Sequence, residues 1–182
     1  MKNFILNKEE AVLLIIDIQE RLTPAMEYGP KVIDNTVVLA SIANALEIPI
    51  IVTEQYPKGL GKTVEELSYK LKGASFYTKI KFSSCTEEVV NELKKLGRKK
   101  VIITGMETHV CVYQTVRDLL SMGYDVFVAG DAVCSRSKQN FKNGLKMISE
   151  MGAVVTNTET IFFDFMKEAG TPLFKELSKL IK

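Results

Sequence analysis

The chain has 182 residues and a formal net charge of +2 at pH 7, and 46% of its residues are hydrophobic. This length and apolar share suit one domain with a sizeable core. Nearly balanced charges argue against nucleic acid as the main ligand, because phosphate binding needs a concentrated basic face. No apolar stretch approaches the ~18 residues that span a bilayer, so we expect no membrane segment.

Cysteine usage and the N-terminal sequence indicate the compartment. Cys85, Cys111 and Cys134 are an odd number without paired spacing. This argues against a disulfide framework and favours a reducing environment. The first ten residues lack the long apolar core and cleavage site of a signal peptide. We therefore expect a cytoplasmic protein.

Strand and helix patterns alternate along the chain. The continuous apolar run Ala11–Ile18, which contains Asp17 near its end, is typical of a strand covered on both faces. Apolar spacing and turn residues predict, in chain order, strand Ala11–Ile18, helix Val32–Leu46, strand Ile50–Glu54, a short helix within Thr63–Leu71, strand Ser75–Lys79, helix Glu87–Leu96, strand Lys100–Gly105, a helix from Thr108 to near Gly123, strand Asp125–Gly130, helix Ser137–Met151, strand Ala153–Thr156, helix Thr158–Ala169 and a last helix begun by Thr171-Pro172.

This alternation implies right-handed crossovers between parallel strands. We therefore predict a single α/β domain over residues 1–182. Its fold is expected to be a doubly wound, Rossmann-like arrangement of three layers, with a central six-stranded parallel sheet between helices. Two helix starts are predicted from capping patterns: Ser84 with Glu87 as a capping box, and Thr108 as an N-cap.

Cys111 follows the buried strand Lys100–Gly105 and lies in the first turn of the next predicted helix. Ligand sites of parallel sheets gather at this carboxyl edge. Helix amides and the positive end of the helix dipole favour a thiolate, so the position predicts a reactive thiol with a lowered pKa. The alternative is that Cys111 is one more buried packing residue.

Asp17 ends the first apolar strand and would face the same crevice. A buried carboxylate needs hydrogen bonds or a charge partner, and burial tends to raise its pKa, so Asp17 is a candidate proton acceptor. A purely structural role for Asp17 is equally open. Lys79 and Lys81 flank Ile80, and a lysine here could stabilise a thiolate and hold the carboxylate. Spacing alone does not choose between the two lysines.

Other cofactor and base candidates are weak. His109, the single histidine, lies two residues before Cys111, and side chains at that helical spacing point apart. One histidine excludes a poly-histidine zinc site, and Cys85 and Cys134 form no CxxC motif. The chain also lacks GxxxxGK[ST] and GxGxxG fingerprints, so no nucleotide cofactor is indicated.

Three motifs taken together resemble the isochorismatase-like cysteine hydrolases, the superfamily that also holds nicotinamidases and N-carbamoylsarcosine amidases. They are Leu13-Leu-Ile-Ile-Asp17-Ile-Gln19, Lys79-Ile-Lys-Phe-Ser83 and Gly105-Met-Glu-Thr-His-Val-Cys111-Val. Thr53-Glu-Gln-Tyr-Pro-Lys-Gly-Leu-Gly61 and Asp131-Ala-Val-Cys-Ser-Arg-Ser137 look most like the isochorismatase domain-containing proteins. The resemblance extends from about Ala11 to Lys182.

The resemblance implies a catalytic triad of Asp17, Lys79 and Cys111, and it selects Lys79 over Lys81 from its spacing to Phe82. It also implies a cis peptide at Met106-Glu107 and an oxyanion hole formed by the backbone N–H groups of Glu107 and Cys111. Some relatives bind zinc near the second strand. The corresponding segment here, residues 53–58, has no histidine, so no metal is expected.

The implied reaction is cleavage of a C–N bond in a small amide-type substrate through a Cys111 thioester. Relatives that split the isochorismate vinyl ether do not use a cysteine nucleophile, so the retained cysteine favours C–N hydrolysis. Hydrolysis of an isochorismate-type ether and a non-catalytic interaction protein with a vestigial triad remain the alternatives. Tyr56, Phe82 and Tyr113 are candidates for lining the substrate pocket, although each could equally be packing.

The C-terminal third is rich in aromatic and aliphatic residues. The neighbours Phe162 and Phe163 cannot both face the sheet from one helix. Leftover apolar surface often marks an interface, and the resembled family forms homo-oligomers. We therefore expect a dimer, or else a tetramer, that buries part of residues 105–123 or the C-terminal helices.

Overall fold

The computed structural model describes residues 4–181. Its six strands form one parallel sheet in the order β3-β2-β1-β4-β5-β6. The strands are β1 Ala11–Ile16, β2 Ile50–Gln55, β3 Ser75–Lys79, β4 Lys100–Met106, β5 Asp125–Cys134 and β6 Val154–Thr156. The helices are α1 Gly29–Ala45, α2 Pro57–Leu60, α3 Glu65–Ser68, α4 Glu87–Leu96, α5 Tyr113–Ser121, α6 Lys138–Met151, α7 Thr158–Met166 and α8 Pro172–Leu177. A π-helix, Thr108–Val112, precedes α5, and 3₁₀ turns occupy Thr23–Ala25 and Ser178–Ile181. The predicted fold class is confirmed.

Helices cover both faces of the sheet, and the side chains of β1 show why. Leu13 and Ile15 point to the core beneath α1 and α7, whereas Leu14 and Ile16 point to the opposite core beneath α4, α5 and α6. Alternate residues of a strand face opposite sides, so a strand buried on both sides must be apolar throughout. This explains why the first strand lacks the alternating polar pattern of a half-exposed sheet.

The order of the strands fixes the place of the site. The chain winds outward through β2 and β3 on one side of β1, then returns to pair β4 with the other side of β1. The crevice at the carboxyl ends of β1 and β4 is the topological switch point, where ligands bind in open parallel sheets. Asp17 directly follows β1, and Cys111 follows β4 within the π-helix.

Several predicted boundaries were wrong for identifiable reasons. The N-cap of α4 is Thr86, whose side chain accepts from the Val89 amide, so the predicted Ser84 capping box does not form. Thr108 does not cap a helix either, because the π-helix begins at Thr108 with Glu107 as its N-cap and no side-chain cap bond. The helix predicted within residues 63–71 is limited to α3, and α7 ends before Lys167, which has a positive φ.

Strand β5 runs four residues beyond its predicted end at Gly130. A register shift between β4 and β5 near Gly105 allows Val133 and Cys134 to resume pairing with Gly105 and Met106. The paired strand therefore includes Asp131, whose carboxylate accepts hydrogen bonds from the amide and hydroxyl of Thr158. A bulge of this kind re-aims the strand ends at the edge where the site lies.

Gly105 must be glycine. Its φ is +126°, and a Cβ built on it would lie 2.0 Å from the backbone oxygen of Ile16. Both the left-handed backbone and the close approach of β4 to β1 exclude a side chain. The Cys111 segment can therefore leave the sheet directly beside the end of β1.

We predict that Gly105→Ala lowers the free energy of unfolding by more than the 1–3 kcal/mol expected for an unfavourable backbone conformation alone, because a backbone clash adds to it. Gly123→Ala is the matched control, since Gly123 also has a positive φ (+81°) but a Cβ there would meet nothing within 4 Å. Urea denaturation of the two variants measures the difference. Equal destabilisation would show that the clash at Ile16 is relieved without cost.

Candidate active site

Asp17 is a fully buried carboxylate held by two strands. It follows β1 with a left-handed backbone (φ 54°), and its amide donates to the carbonyl of Thr53 in β2. Its Oδ1 accepts from the Thr53 hydroxyl at 2.8 Å, and its Oδ2 accepts from Lys79 Nζ at 2.6 Å. Burial raises the pKa of Asp17 above its ordinary value of 3.8, and the charge of Lys79 opposes that rise. The pKa of the Asp17 carboxyl group therefore reflects burial, which raises it, against the charge and hydrogen bonds of its partners, which lower it.

Lys79, at the end of β3, is also buried and has no spare donor. In addition to Asp17, its ammonium group donates to Gln55 Oε1 at 2.8 Å, to the Phe82 carbonyl at 3.0 Å and to the Lys81 carbonyl at 3.4 Å. The Lys81 side chain is exposed. The structure thus brings Lys79, and not Lys81, to Asp17.

Gln55, which the sequence analysis missed, connects this lysine to the loop after β1. Its amide N–H donates to Gln19 Oε1 at 2.8 Å, and Gln19 Nε2 returns a bond to the Gln55 carbonyl at 3.0 Å. The Gln55 side chain accepts from Lys79 and donates to the Ile80 carbonyl. Its position at the end of β2, beside Lys79 in the β2–β3 register, was the available signal.

Cys111 lies in the π-helix with 6% of its surface exposed. The predicted low pKa was wrong: burial, followed by the neighbouring Asp17 carboxylate, raises the pKa of the Cys111 thiol to about 12. Lys79 opposes this rise but is already paired with Asp17. Two adjacent anions would share one cation, so the resting thiol is protonated and interacts with Asp17 as a hydrogen-bond partner.

The segment before Cys111 is anchored to the end of β5. The Met106-Glu107 peptide bond is cis. The carboxylate of Glu107 accepts from the Arg136 amide at 2.9 Å and from Arg136 Nε at 3.1 Å. These contacts fix the residue whose N–H, with that of Cys111, is predicted to bind an oxyanion. That role for the two amides stays a prediction.

His109 contacts groups away from the nucleophile. Its Nδ1 lies 3.0 Å from the Ser135 hydroxyl, and its Nε2 lies 3.3 Å from the Asn140 side-chain nitrogen. An amide N–H can only donate, so Nε2 accepts and Nδ1 carries the proton. In this arrangement His109 joins the π-helix to the residue after β5 and to α6, and it is Asp17 that interacts with the Cys111 thiol.

The three candidate pocket residues differ in their surroundings. Tyr56 follows β2 and is 53% exposed, and Phe82 follows β3 with the same exposure. Tyr113, the first residue of α5, is partly buried against the core on the α5 face. All three lie at the carboxyl edge of the sheet, and their contact with a substrate stays a prediction.

Two further properties concern ligands and membranes. Within residues 4–181, His, Cys, Asp and Glu side chains do not gather in a group of three or more that could hold a metal ion. Over the same described range, none of the helices combines the length and apolar character needed to cross a membrane.

Comparison with known proteins assigns the family. The isochorismatase domain profile matches residues 11–160. The secreted isochorismatase effector Isc1 of Phytophthora sojae is 42% identical, over 94% of this chain and 84% of its own. Isochorismatase family protein 1A of Dictyostelium discoideum is 40% identical, over 96% and 87% of the two chains.

A solved structure gives the same result. The structure titled MAR1 ribonuclease from Caenorhabditis elegans superimposes with a TM-score of 0.93 at 39% identity, and the match covers 97% of this chain and 92% of that one. The structural match and the sequence matches both cover nearly the whole length of this chain. The chain therefore belongs to the isochorismatase-like hydrolase family.

Proposed function

We propose that this protein is a cysteine hydrolase that cleaves a C–N bond in a small amide-type substrate, with Cys111 as nucleophile, Asp17 as base and Lys79 as the charge partner of Asp17. The observation that carries the proposal is the buried Lys79–Asp17 ion pair, 2.6 Å long, directly beside a buried thiol. A buried pair of this kind is costly to maintain for stability alone. Its position beside a nucleophilic atom favours a chemical role.

In the first half-reaction, Asp17 accepts the thiol proton as Cys111 Sγ attacks the substrate carbonyl carbon. The proton passes from the neutral thiol to the Asp17 carboxylate, and the negative charge passes through sulfur to the carbonyl oxygen. The carbonyl oxygen becomes an oxyanion, for which the N–H groups of Glu107 and Cys111 are the proposed donors. The C–N bond then breaks, and the amine or ammonia leaves with the proton from Asp17.

In the second half-reaction, Asp17 takes a proton from water as that water attacks the thioester carbon. The second tetrahedral intermediate collapses to a carboxylic acid, and the C–S bond breaks. Cys111 leaves as a thiolate and recovers its proton from Asp17. Because the thiol is protonated at rest, each attack by Cys111 needs Asp17 as a base, and a preformed thiolate is not required.

RNA hydrolysis is compared with amide hydrolysis here because the similar nematode structure is named a ribonuclease. A phosphodiester substrate would need cations on its non-bridging oxygens. Lys79 is engaged by Asp17, Gln55 and backbone carbonyls, and Arg136 is paired with Glu107. These contacts favour an uncharged carbonyl as the reacting group, so RNA serves as the comparison substrate in the tests below.

We predict that Cys111→Ala lowers turnover at least about 10³-fold while the protein stays folded, because the thioester with the substrate cannot form. Cys85→Ala is the matched control and should retain most activity. The assay follows ammonia or amine release from a panel of small amides, with an isochorismate-type ether and RNA in parallel. After treatment with an electrophilic amide, mass spectrometry of the intact protein and of its peptides should show one adduct, on Cys111. An adduct on Cys85 or Cys134 instead would contradict the assignment.

If the wild type hydrolyses none of the amides, the proposed reaction is wrong, whatever the variants do. Turnover of the ether alone would support the ether-hydrolase alternative. A protein that turns over nothing and forms no Cys111 adduct would be a non-catalytic member of the family.

We predict that Asp17→Asn and Lys79→Ala each lower kcat/KM by several orders of magnitude, since the first removes the base and the second removes its charge partner. Lys81→Ala should change kcat/KM by less than about threefold, because its side chain is exposed. Each single change also breaks a buried ion pair, which typically costs 3–5 kcal/mol of stability. The double variant Asp17→Asn/Lys79→Met removes both charges and should be folded but inactive, as circular dichroism and the amide assay would show. An active double variant would show that the Lys79–Asp17 ion pair is not needed for catalysis.

We also propose that the protein assembles into a homo-oligomer, a dimer first and a tetramer second. Phe162 is fully buried, whereas its neighbour Phe163 is 48% exposed, and Leu173 of α8 is 36% exposed. The ring centroids of Phe163 and Phe174 lie 6.2 Å apart with the ring planes tilted by 43°, so these residues extend one apolar surface across α7 and α8. Apolar surface of this kind favours an interface.

We expect light scattering to give a mass of at least twice the 20.4 kDa chain at micromolar concentration. Phe163→Glu should weaken the assembly because it places a charge in the apolar surface. Lys167→Glu, at an exposed position just after α7, is the control and should leave the mass unchanged. A monomeric wild type would contradict the proposal.

A further inference from the structure

A chain of buried hydroxyl groups connects the base to the nucleophile outside the triad itself. Thr53 Oγ1 donates to Asp17 Oδ1 at 2.8 Å and lies 3.1 Å from Ser84 Oγ. The Ser84 amide donates to Thr115 Oγ1 at 2.8 Å, and the Thr115 hydroxyl donates to the Cys111 carbonyl at 2.6 Å. The three hydroxyl residues are fully buried.

The direction of each hydrogen bond follows from the number of protons available. A hydroxyl has one proton, and the Thr53 proton is given to the Asp17 carboxylate, which can only accept. The proton between Thr53 and Ser84 must therefore come from Ser84. Likewise, Thr115 gives its proton to the Cys111 carbonyl, so its oxygen is free to accept from the Ser84 amide. Every proton in the chain is assigned, and the two arms both run outward from Ser84.

Ser84 is the centre of this chain because it donates in both directions. Its hydroxyl donates to the Thr53 hydroxyl in β2, and its backbone N–H donates to the Thr115 hydroxyl in α5. It lies in the loop between Lys79 and α4, so the same loop that follows the triad lysine also bridges the other two triad elements. This role explains why Ser84 is not available to cap α4, which uses Thr86.

We propose that Thr53, Ser84 and Thr115 are positioning residues that orient the Asp17 carboxylate and fix the backbone of Cys111 relative to it through this hydrogen-bond chain. The inference rests on the proposed function of the triad. None of the three needs to touch the substrate. Thr53 orients the carboxylate of the proposed base Asp17, and Thr115 holds the backbone of the proposed nucleophile Cys111. Ser84 links these two threonines.

The chain has a defined electrostatic consequence at Asp17. A hydrogen bond to a carboxylate favours its charged form and lowers its pKa. Burial raises the pKa of Asp17, and the charged or titratable groups that act on it are Lys79 and Cys111, each of which opposes that rise. Thr53 opposes it as well. Removal of the Thr53 hydroxyl should therefore raise the pKa of Asp17 further.

The test compares Thr53→Val with Thr53→Ser, since serine keeps the hydroxyl and valine keeps the shape. Carbon-13 NMR titration of the Asp17 carboxyl group, assigned with Asp17→Asn, measures the pKa without any substrate. We expect Thr53→Val to raise the Asp17 pKa and Thr53→Ser to leave it near the wild-type value. In the amide assay, kcat/KM falls at low pH because protonated Asp17 cannot accept the thiol proton. The acid limb of the Thr53→Val profile should therefore move to higher pH, in the same direction as the NMR titration.

Two further variants separate the ends of the chain. Ser84→Ala removes the bond into Thr53 and should raise the Asp17 pKa by less than Thr53→Val does. Thr115→Val should leave the Asp17 pKa unchanged and lower kcat with little change in KM, because it loosens the Cys111 backbone. If Thr53→Val fails to fold, the NMR shift in Ser84→Ala decides the question.

An Asp17 pKa that is the same in wild type, Thr53→Val and Ser84→Ala would overturn the proposal, as would a Thr53→Ser variant that behaves like Thr53→Val. The NMR result is independent of turnover. An inactive wild type that still shows the expected shifts would therefore refute the proposed amidase function and leave the positioning chain supported.

Discussion

The structure of the site depends on the burial of one ion pair, Lys79–Asp17. Removing two charges from water is expensive, and their attraction offsets the cost only when the remaining donors and acceptors are also satisfied. Here they are: Lys79 has Gln55 and two carbonyls as further acceptors, and Asp17 has the Thr53 hydroxyl. Those partners come from β2 and the loop after β3, so the ends of three adjacent strands are held in one arrangement.

The same pair affects the protonation of the Cys111 thiol. Lys79 balances one negative charge, and both Asp17 and Cys111 compete for it. Because burial makes a second anion costly, the Cys111 thiol keeps its proton while Lys79 is paired with Asp17. The electrostatics therefore favour the transfer of a proton within the site over its release to water.

Local sequence patterns predicted the fold class and placed Asp17 and Cys111 at one edge of the sheet, whereas the choice of Lys79 over Lys81 came only from the family resemblance. Apolar runs define the strands, and parallel strands bring their carboxyl ends to one edge. The thiol pKa was wrong because it depends on burial and on a carboxylate 94 positions away in the chain. Ser84 was misassigned for a similar reason: a local capping pattern was outcompeted by a tertiary partner, Thr53, that local spacing does not reveal.

The hydrogen-bond saturation of the buried groups also bears on substrate choice. Lys79, Gln55, Thr53 and Ser84 are each engaged with other protein groups, so they are poorly placed to recognise a substrate. Under the proposed function, recognition would then fall to groups at the rim. Tyr56, Ile80 and Phe82 follow β2 and β3 at this edge and are all more than half exposed, and the exposed Lys81 lies between the last two. The proposed amide reaction therefore joins a buried centre whose polar groups are already bonded to an exposed rim that can contact the rest of a substrate.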